Sequence, residues 1–127
     1  MEKKRALVVE DSLLMRRMLT DTLVGCGFEA ECAPDGKVAM EMIRRQAPDV
    51  LVTDLNMPNL DGMGLISRLD DAGYDFPIIV LTSDRSMITQ SEVIAMGVRA
   101  YFRKPFPPNK VAKKALQLTQ LPHLASA

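Results

Sequence analysis

The sequence predicts an α/β fold, in which five parallel strands form one sheet with helices on both faces. Three observations lead to this prediction. Short apolar runs typical of β-strands recur about every 20 to 27 residues along the 127-residue chain. Segments of helical length, each with an apolar stripe, separate these runs. Strict alternation of strand and helix favours parallel strands joined by right-handed crossovers, which place helices on both sides of the sheet.

The five apolar runs are the predicted strands. The third is apolar throughout, as expected of a strand buried on both faces. The second alternates apolar residues with Glu29 and Glu31, which suits a strand at the edge of the sheet. The strands are predicted over residues 6–9, 28–32, 50–53, 78–82 and 100–102.

Apolar stripes and helix-ending residues predict the five helices. Glycines end the first, third and fourth helices, and Pro48 follows the second. The last three are predicted over residues 62–71, 86–96 and 109–120, where Pro122 stops the fifth. The side chains expected to face the core are Leu14, Met15, Met18, Leu19 and Leu23 in the first helix, Val38, Ala39, Met42 and Ile43 in the second, Met63, Ile66 and Leu69 in the third, Ile88, Val93, Ile94 and Met96 in the fourth, and Val111, Ala112, Ala115 and Leu116 in the fifth.

Composition places the chain among soluble globular proteins, with 47% hydrophobic and 25% charged residues. Sixteen basic and sixteen acidic side chains cancel, so net charge points neither to nucleic acid nor to a membrane. No apolar run approaches the roughly 18 residues of a spanning helix, and the N-terminal one is too short for a secretory signal. We therefore expect a cytoplasmic protein in which Cys26 and Cys32 are unpaired core residues.

Functional side chains are expected where the carboxyl ends of parallel strands meet at one edge of the sheet. The first strand ends in VVEDS, which supplies Glu10 and Asp11, and the third ends on Asp54. The fourth ends in LTSD with Thr82, and the fifth in YFRKPF with Lys104. If the first and third strands are neighbours, three carboxylates converge beside a hydroxyl and an ammonium.

This combination of groups indicates phosphoryl chemistry. Clustered carboxylates repel and need a cation, and Mg²⁺ takes one or two carboxylates plus waters and a phosphoryl oxygen. Lys104 adds a fixed positive charge, and phosphoryl transfer needs mainly such stabilisation of its oxygens. Asp54 is then a carboxylate nucleophile that forms an acyl phosphate. Singly, each motif has a plainer interpretation, such as a helix cap at Ser12, but their joint occurrence at one edge favours the site.

Four motifs, VVEDS, DLNMPNLDG, LTSD and YFRKPF, resemble in order the signatures of receiver domains of bacterial two-component response regulators, over about residues 5–120. DLNMPNLDG is similar to the single-domain chemotaxis regulators. The resemblance implies a flavodoxin-like sheet of order 2-1-3-4-5, which makes the first and third strands neighbours. It also implies a signalling protein that assists its own phosphorylation and dephosphorylation rather than an enzyme with a separate substrate. An aspartyl phosphatase fits less well, because it would need an acid where Asn56 stands.

The resemblance assigns a role to each acid of the site. Asp54 would accept a phosphoryl group from a phosphohistidine on a sensor histidine kinase or a phosphotransfer protein. Asp11 and Asp54 would bind Mg²⁺, for which Mn²⁺ can substitute, together with the backbone carbonyl of Asn56. Glu10 would reach the ion through a water molecule. Glu10 stands where the family often has Asp, so its coordination departs from the family pattern.

Other residues receive roles in activation and recovery. Lys104, followed by a cis bond to proline, would pair with a phosphoryl oxygen. Thr82 would hydrogen-bond the phosphoryl group and shift toward it, and Tyr101 would swing into the vacated space. Asn56 and Asp84 would tune the lifetime of the phosphorylated state by orienting or blocking water, and their small polar side chains suggest fast hydrolysis.

The predicted output surface comprises the fourth helix, the fifth strand and the fifth helix. From residue 98 onward the chain has no acidic residue, so we expect either a solvated face or a docking site for an acidic partner protein, not nucleic acid. The domain is predicted over residues 1–121, with 122–127 as a C-terminal tail or the start of a linker. The alternative is the N-terminal receiver of a longer DNA-binding or enzymatic regulator. The basic residues of this region are Arg99, Arg103, Lys104, Lys110, Lys113 and Lys114.

Overall fold

The computed structural model describes residues 3–83 and 87–125, and the side chains of residues 87, 88 and 121–125 lie outside this description. Strands and helices alternate along the chain. The strands are β1 (Arg5–Val9), β2 (Glu29–Ala33), β3 (Val50–Asp54), β4 (Ile78–Thr82) and β5 (Ala100–Arg103). The helices are α1 (Leu13–Gly25), α2 (Gly36–Arg45), α3 (Gly62–Asp71), α4 (Met87–Ala95) and α5 (Pro108–Ala125).

All strand pairs are parallel, and their order is β2-β1-β3-β4-β5. This confirms the predicted fold class and the flavodoxin-like order, with β2 at an edge and β3 in the centre. The order places β1 and β3 side by side, with Val9 paired to Thr53. The carboxyl ends of these two strands therefore meet at the same point of the sheet edge.

Each face of the sheet has its own core. Val50, Leu51 and Val52 of β3 are fully buried, and successive side chains point to opposite faces. Val52 packs with Leu19 and other residues of α1 and α5, whereas Leu51 packs with Leu65 and other residues of α2 and α3. A third cluster joins α3, β4 and α4. The continuous apolar run of β3 is thus explained by helices on both sides.

Polar caps start the first three helices close to the carboxyl edge. The Ser12 hydroxyl accepts a hydrogen bond from the Met15 N–H, at 3.3 Å. Asp35 and Asp61 cap α2 and α3 with their carboxylates. Side-chain oxygens satisfy donors that have no partner inside the helix, so these residues fix where each helix begins.

The predicted inner faces of α1 and α4 were too wide. Leu14 is 71% and Met18 40% exposed, whereas Leu19 and Leu23 are buried. The inner stripe repeats every four residues through Leu19 and Leu23, and side chains one position earlier are rotated by about 100° toward solvent. In α4, Ile94 is exposed because it lies one position after the buried Val93 and is likewise rotated by about 100° from the inner face.

Two further predictions were wrong. Cys32 is exposed on the edge strand β2, where no neighbouring strand covers its outer side, although both cysteines are free as expected. Pro122 does not stop α5, which continues to Ala125. Proline removes one N–H donor, and near the end of a helix this loss affects only the last turn.

Among the helices of residues 3–83 and 87–125, none has the length and apolar character needed to cross a membrane.

Candidate functional site

Three acids converge where β1 and β3 end. Glu10 and Asp11 follow β1 directly, and Asp54 is the last residue of β3. One carboxylate oxygen from each lies within 4.8 Å of the other two. The convergence predicted from the sequence is therefore confirmed, and we refer to Glu10, Asp11 and Asp54 as the acidic pocket.

A lysine from the far end of the chain neutralises part of this charge. Lys104 follows β5, and its Nζ lies 2.7 Å from Asp54 Oδ2 and 3.0 Å from Glu10 Oε2. Glu10 and Asp54 are 1% and 4% exposed, whereas Asp11 is open to solvent. The peptide bond between Lys104 and Pro105 is cis, as expected from the resemblance. The ammonium thus lies between two buried carboxylates, which explains how strands in a dry core can end on acids.

Burial changes the protonation of this pocket. Removal from water raises the pKa of the Glu10 carboxyl from 4.5 to about 7, and the charge of Asp54 adds to the effect. The hydrogen bond from Lys104 opposes it. For Lys104 itself, burial lowers the pKa, but hydrogen bonds to Asp54 and Glu10 outweigh burial and leave that pKa raised. Both pKa values are raised, so Glu10 and Lys104 hold their protons more strongly in the pocket than they would in water.

Arg16 supports the pocket from α1, a role that the sequence analysis missed. Its Nη1 donates to the backbone carbonyl oxygens of Glu10, at 2.8 Å, and Asp11, at 3.2 Å. The Ser12 N–H also donates to Glu10 Oε1, at 3.2 Å. These contacts tie the β1–α1 turn to its helix and orient both acids. A basic residue within two turns of an acidic pair was the available signal.

The remaining predicted residues lie around the same edge. The Asn56 N–H donates to Asp54 Oδ1, at 3.2 Å, and the Asn56 side chain is exposed. Thr82 is fully buried at the end of β4, and its carbonyl accepts a hydrogen bond from the Lys104 N–H, at 2.7 Å. Tyr101 is half-buried on β5 and packs against the cluster between α3 and α4. Asp84 lies outside the described residues.

The acidic pocket fits a hard divalent cation. Oxygen ligands of octahedral Mg²⁺ lie about 3 Å apart when adjacent and about 4 Å apart when opposite, given Mg–O distances near 2.1 Å. The three carboxylate oxygens, within 4.8 Å of one another, come close to this span. Exposure of Asp11 leaves room for the water molecules that Mg²⁺ retains.

Fold and pocket together define a phosphoacceptor module of the receiver type, and comparison with known proteins agrees. The model of the response regulator receiver domain family matches residues 6–116. Response regulator MprA of Mycobacterium leprae is 39% identical over 102 residues, covering 80% of this chain and 45% of MprA. The chain therefore belongs to the receiver domain family of two-component signal transduction. The chain spans less than half the length of the curated MprA proteins that it matches.

Solved structures include close matches over the whole fold. Chemotaxis response regulator CheY4 of Vibrio cholerae is 32% identical with a TM-score of 0.80, covering 93% of this chain and 99% of that one. The receiver domain of Francisella response regulator 1452 is 27% identical with a TM-score of 0.88, covering 92% and 97%. The predicted similarity to single-domain chemotaxis-type receivers is thus confirmed at the level of structure.

Proposed function

We propose that Asp54 accepts a phosphoryl group from a phosphohistidine of a sensor histidine kinase or phosphotransfer protein, in the presence of Mg²⁺. The observation that carries the proposal is the buried Asp54 carboxylate, with Lys104 Nζ at 2.7 Å and two further acids beside it. A structural ion pair alone would not need three acids around one lysine. Mn²⁺ satisfies the same oxygen ligands and can replace Mg²⁺.

The proposed step exchanges one bond to phosphorus for another. An Asp54 oxygen attacks phosphorus, the P–N bond to the donor imidazole breaks, and the imidazole nitrogen keeps the electron pair and takes a proton. Recovery is a separate reaction, in which water attacks phosphorus and the P–O bond to Asp54 breaks, which restores the carboxylate and releases inorganic phosphate. The protein thus cycles between two chemical states without turning over a separate substrate.

Each group of the pocket has a part in this proposal. Mg²⁺ would neutralise charge on the phosphoryl oxygens, held by Asp11, Asp54 and the Asn56 carbonyl, with Glu10 reaching it through water. Lys104 would move from its carboxylate partners to a phosphoryl oxygen, forming a charge-assisted hydrogen bond. Asn56 and Asp84 would set how readily water reaches phosphorus, and we expect fast hydrolysis from their small side chains.

Incubation with acetyl phosphate and Mg²⁺ tests the acceptor. The wild-type mass should increase by one phosphoryl group, because acetyl phosphate supplies the phosphoryl group without a kinase. Asp54→Asn should remain unmodified, and Lys104→Met should be modified at least about tenfold more slowly, since it loses a charge-assisted contact. Intact-protein mass spectrometry over time measures both.

Asp71→Asn is the matched control, because Asp71 is exposed at the end of α3. It should be modified like the wild type. Modification of Asp54→Asn to the same extent would exclude Asp54 as the acceptor.

We infer that Thr82 and Tyr101 change conformation when Asp54 is phosphorylated. A phosphoryl group adds about −1.5 to −2 charges and three strong acceptors. Thr82, buried at the end of β4, supports a role in binding one of these acceptors, with Tyr101 following into the space that Thr82 leaves. Because this arrangement is favoured only with the phosphoryl group present, the group shifts the population between two conformers.

We further propose that the α4–β5–α5 face binds an acidic protein partner. A groove of about 530 Å³ lies against α5, with Phe102 and Leu116 as apolar lining and Lys110, Lys113 and Lys114 around them. Apolar contact with a cationic rim suits an acidic helix or peptide that carries apolar anchors. Phe102 connects this groove to β5, the strand that also carries Tyr101 and ends just before Lys104.

Neutralising the rim tests this surface. Replacement of Lys110, Lys113 and Lys114 by Ala should weaken binding of the output partner at least about tenfold, mainly through slower association at low salt. Phosphorylation by acetyl phosphate should stay unchanged. The control is a variant in which three basic residues of α2 are replaced by Ala, namely Lys37, Arg44 and Arg45. Equal loss of affinity in both triple variants would assign the effect to net charge alone.

The extent of the whole protein leaves two proposals for output. Coverage of 99% of a single-domain chemotaxis regulator supports a freestanding cytoplasmic receiver that controls a partner protein. Coverage of 45% of MprA supports the alternative, the N-terminal receiver of a longer DNA-binding or enzymatic regulator. In both cases the domain boundary near residue 121 stays a prediction.

A further inference from the structure

The loop between β3 and α3, residues 55–61, leaves the acidic pocket and returns to it. Leu55 follows Asp54, and the N–H of Gly62, at the end of the loop, donates to the Leu55 carbonyl at 2.9 Å. A Cβ on Gly62 would lie 2.3 Å from the Asp54 carbonyl oxygen, so the chain passes very close to the acceptor residue. The conformation of this loop therefore determines where backbone atoms beside Asp54 point.

The start of α2 holds the middle of this loop. Asn59 Nδ2 donates to Asp35 Oδ2, at 2.8 Å, and the Gly36 N–H donates to the Leu60 carbonyl, at 3.1 Å. A Cβ on Gly36 would lie 2.4 Å from that carbonyl oxygen, so this close approach requires glycine. We call Asp35, Gly36, Asn59 and Leu60 the loop latch.

Asp35 has two partners at once. Its Oδ1 accepts the Val38 N–H that starts α2, at 2.9 Å, while Oδ2 accepts Asn59. The side chain is 7% exposed, and the hydrogen bonds from Val38 and then Asn59 hold the pKa of this carboxyl below its usual 3.8. Asn59 has a φ of 67°, a conformation that asparagine tolerates better than most residues. The carboxylate therefore fixes a backbone conformation that has little intrinsic preference.

We propose that Asp35 and Asn59 are positioning residues that direct the backbone carbonyl of Asn56 toward the cation of the acidic pocket. The inference rests on the proposed function, in which that carbonyl is a Mg²⁺ ligand. Asn56 lies three residues before Asn59 in the same loop, and its N–H is bonded to Asp54 Oδ1 at 3.2 Å. Without the latch the loop samples more conformations, whereas the carboxylates at the ends of β1 and β3 stay in place.

Three variants separate the latch from the helix cap. Asn59→Gly keeps the positive φ and the net charge but removes the side-chain donor. Asp35→Asn retains an oxygen that can cap α2 at Val38, but it removes the charge that accepts from Asn59, so the latch keeps at most a weaker amide–amide hydrogen bond with the Asn59 side chain turned over. The double variant D35N/N59D exchanges donor and acceptor and re-forms the bond. Asp49→Asn makes the same chemical change far from the loop, at the amino ends of β1 and β3, where Asp49 Oδ2 accepts the Arg5 N–H at 2.7 Å.

Calorimetric titration with Mg²⁺ alone measures the effect. We expect roughly tenfold weaker binding for Asn59→Gly, in line with other groups that orient metal ligands, and a smaller loss for Asp35→Asn. Asp49→Asn should bind like the wild type, and D35N/N59D should recover at least part of the loss. With acetyl phosphate, the two latch variants should need more Mg²⁺ but reach the wild-type rate at saturation.

Thermal unfolding distinguishes positioning from general destabilisation. A merely structural role would lower the midpoint temperature and leave the Mg²⁺ dependence unchanged. Wild-type Mg²⁺ affinity in both latch variants would overturn the inference while leaving the proposed function intact. Failure of the wild type itself to bind Mg²⁺ or to gain a phosphoryl group would instead overturn the proposed function, and the inference with it.

Discussion

Glu10 is the acid of the pocket whose protonation the fold changes most clearly. Its side chain is 1% exposed, and burial, with a contribution from Asp54, raises the pKa from 4.5 to about 7. Between these two pH values the folded protein holds a proton that the unfolded chain releases. Unfolding is therefore linked to proton loss in this window.

The sign of this linkage gives a pH prediction for the metal-free protein. The stabilising contribution of protonated Glu10 is complete below pH 4.5 and is lost as pH rises to about 7. Glu10→Gln cannot ionise, so its free energy of unfolding relative to the wild type should rise by roughly 3 kcal/mol across this window and then level off. Urea unfolding with a chelator, at a series of pH values, measures the difference.

Glu29→Gln provides the comparison, because Glu29 is exposed on β2. Its difference from the wild type is the baseline for the Glu10→Gln curve. Parallel stability curves for Glu10→Gln and the wild type would show that Glu10 titrates alike in the folded and unfolded states.

At the scale of elements, α1 presents an apolar surface beside the acidic pocket. Leu13, Leu14 and Met18 are 62%, 71% and 40% exposed, and the helix begins two residues after Asp11. Apolar periodicity identified the helix but not its inner face, since the apolar residues spread over more than one side. Leu14 and Met18 lie one helical turn apart, and exposed apolar residues that adjoin one another favour a protein contact.

We expect this surface to receive the protein phosphodonor. Leu14→Ala combined with Met18→Ala should slow phosphotransfer from a histidine kinase that phosphorylates the wild type by about fivefold or more, the usual effect of truncating interface anchors. Phosphorylation by acetyl phosphate should stay unchanged, because a small donor needs no docking surface. The rate of transfer from the kinase is measured by stopping the reaction at a series of times and quantifying the labelled phosphoryl group on each of the two proteins.

Val24→Ala is the control on the same helix, since Val24 is 52% exposed near its other end. It should leave both rates unchanged. A double variant that slows the kinase and acetyl phosphate reactions equally would argue for a disturbed pocket rather than a lost contact.

At the scale of the whole molecule, the alternating pattern predicted the parallel sheet, and the resemblance to receiver domains supplied the strand order that brings the three acids together. Alternating patterns require a parallel sheet, and parallel strands place their carboxyl ends at one edge, so Glu10, Asp11 and Asp54 had to be close once β1 and β3 were neighbours. The approach of Lys104 was also predictable, because Lys104 directly follows β5 and the carboxyl ends of all five parallel strands lie on the same side of the sheet.

Contacts between loops were not predictable in this way. Asn59 and Asp35 are 24 positions apart, and no periodicity relates them, because their bond depends on how two irregular segments pass each other. Arg16 gave a partial signal, as a basic residue close to Glu10 and Asp11, but the pattern did not show that it binds their backbone carbonyls rather than their carboxylates. Such details depend on tertiary geometry rather than on pattern.

The burial of β3 has a mechanical consequence. The strand is hydrogen-bonded to a neighbour on each side and covered on both faces, so it has almost no free volume in which to shift. If charge is added to Asp54, at the end of β3, the strand itself cannot move to accommodate it. The loops that follow the strands are less tightly packed, so the structural change takes place there, away from the centre of the sheet.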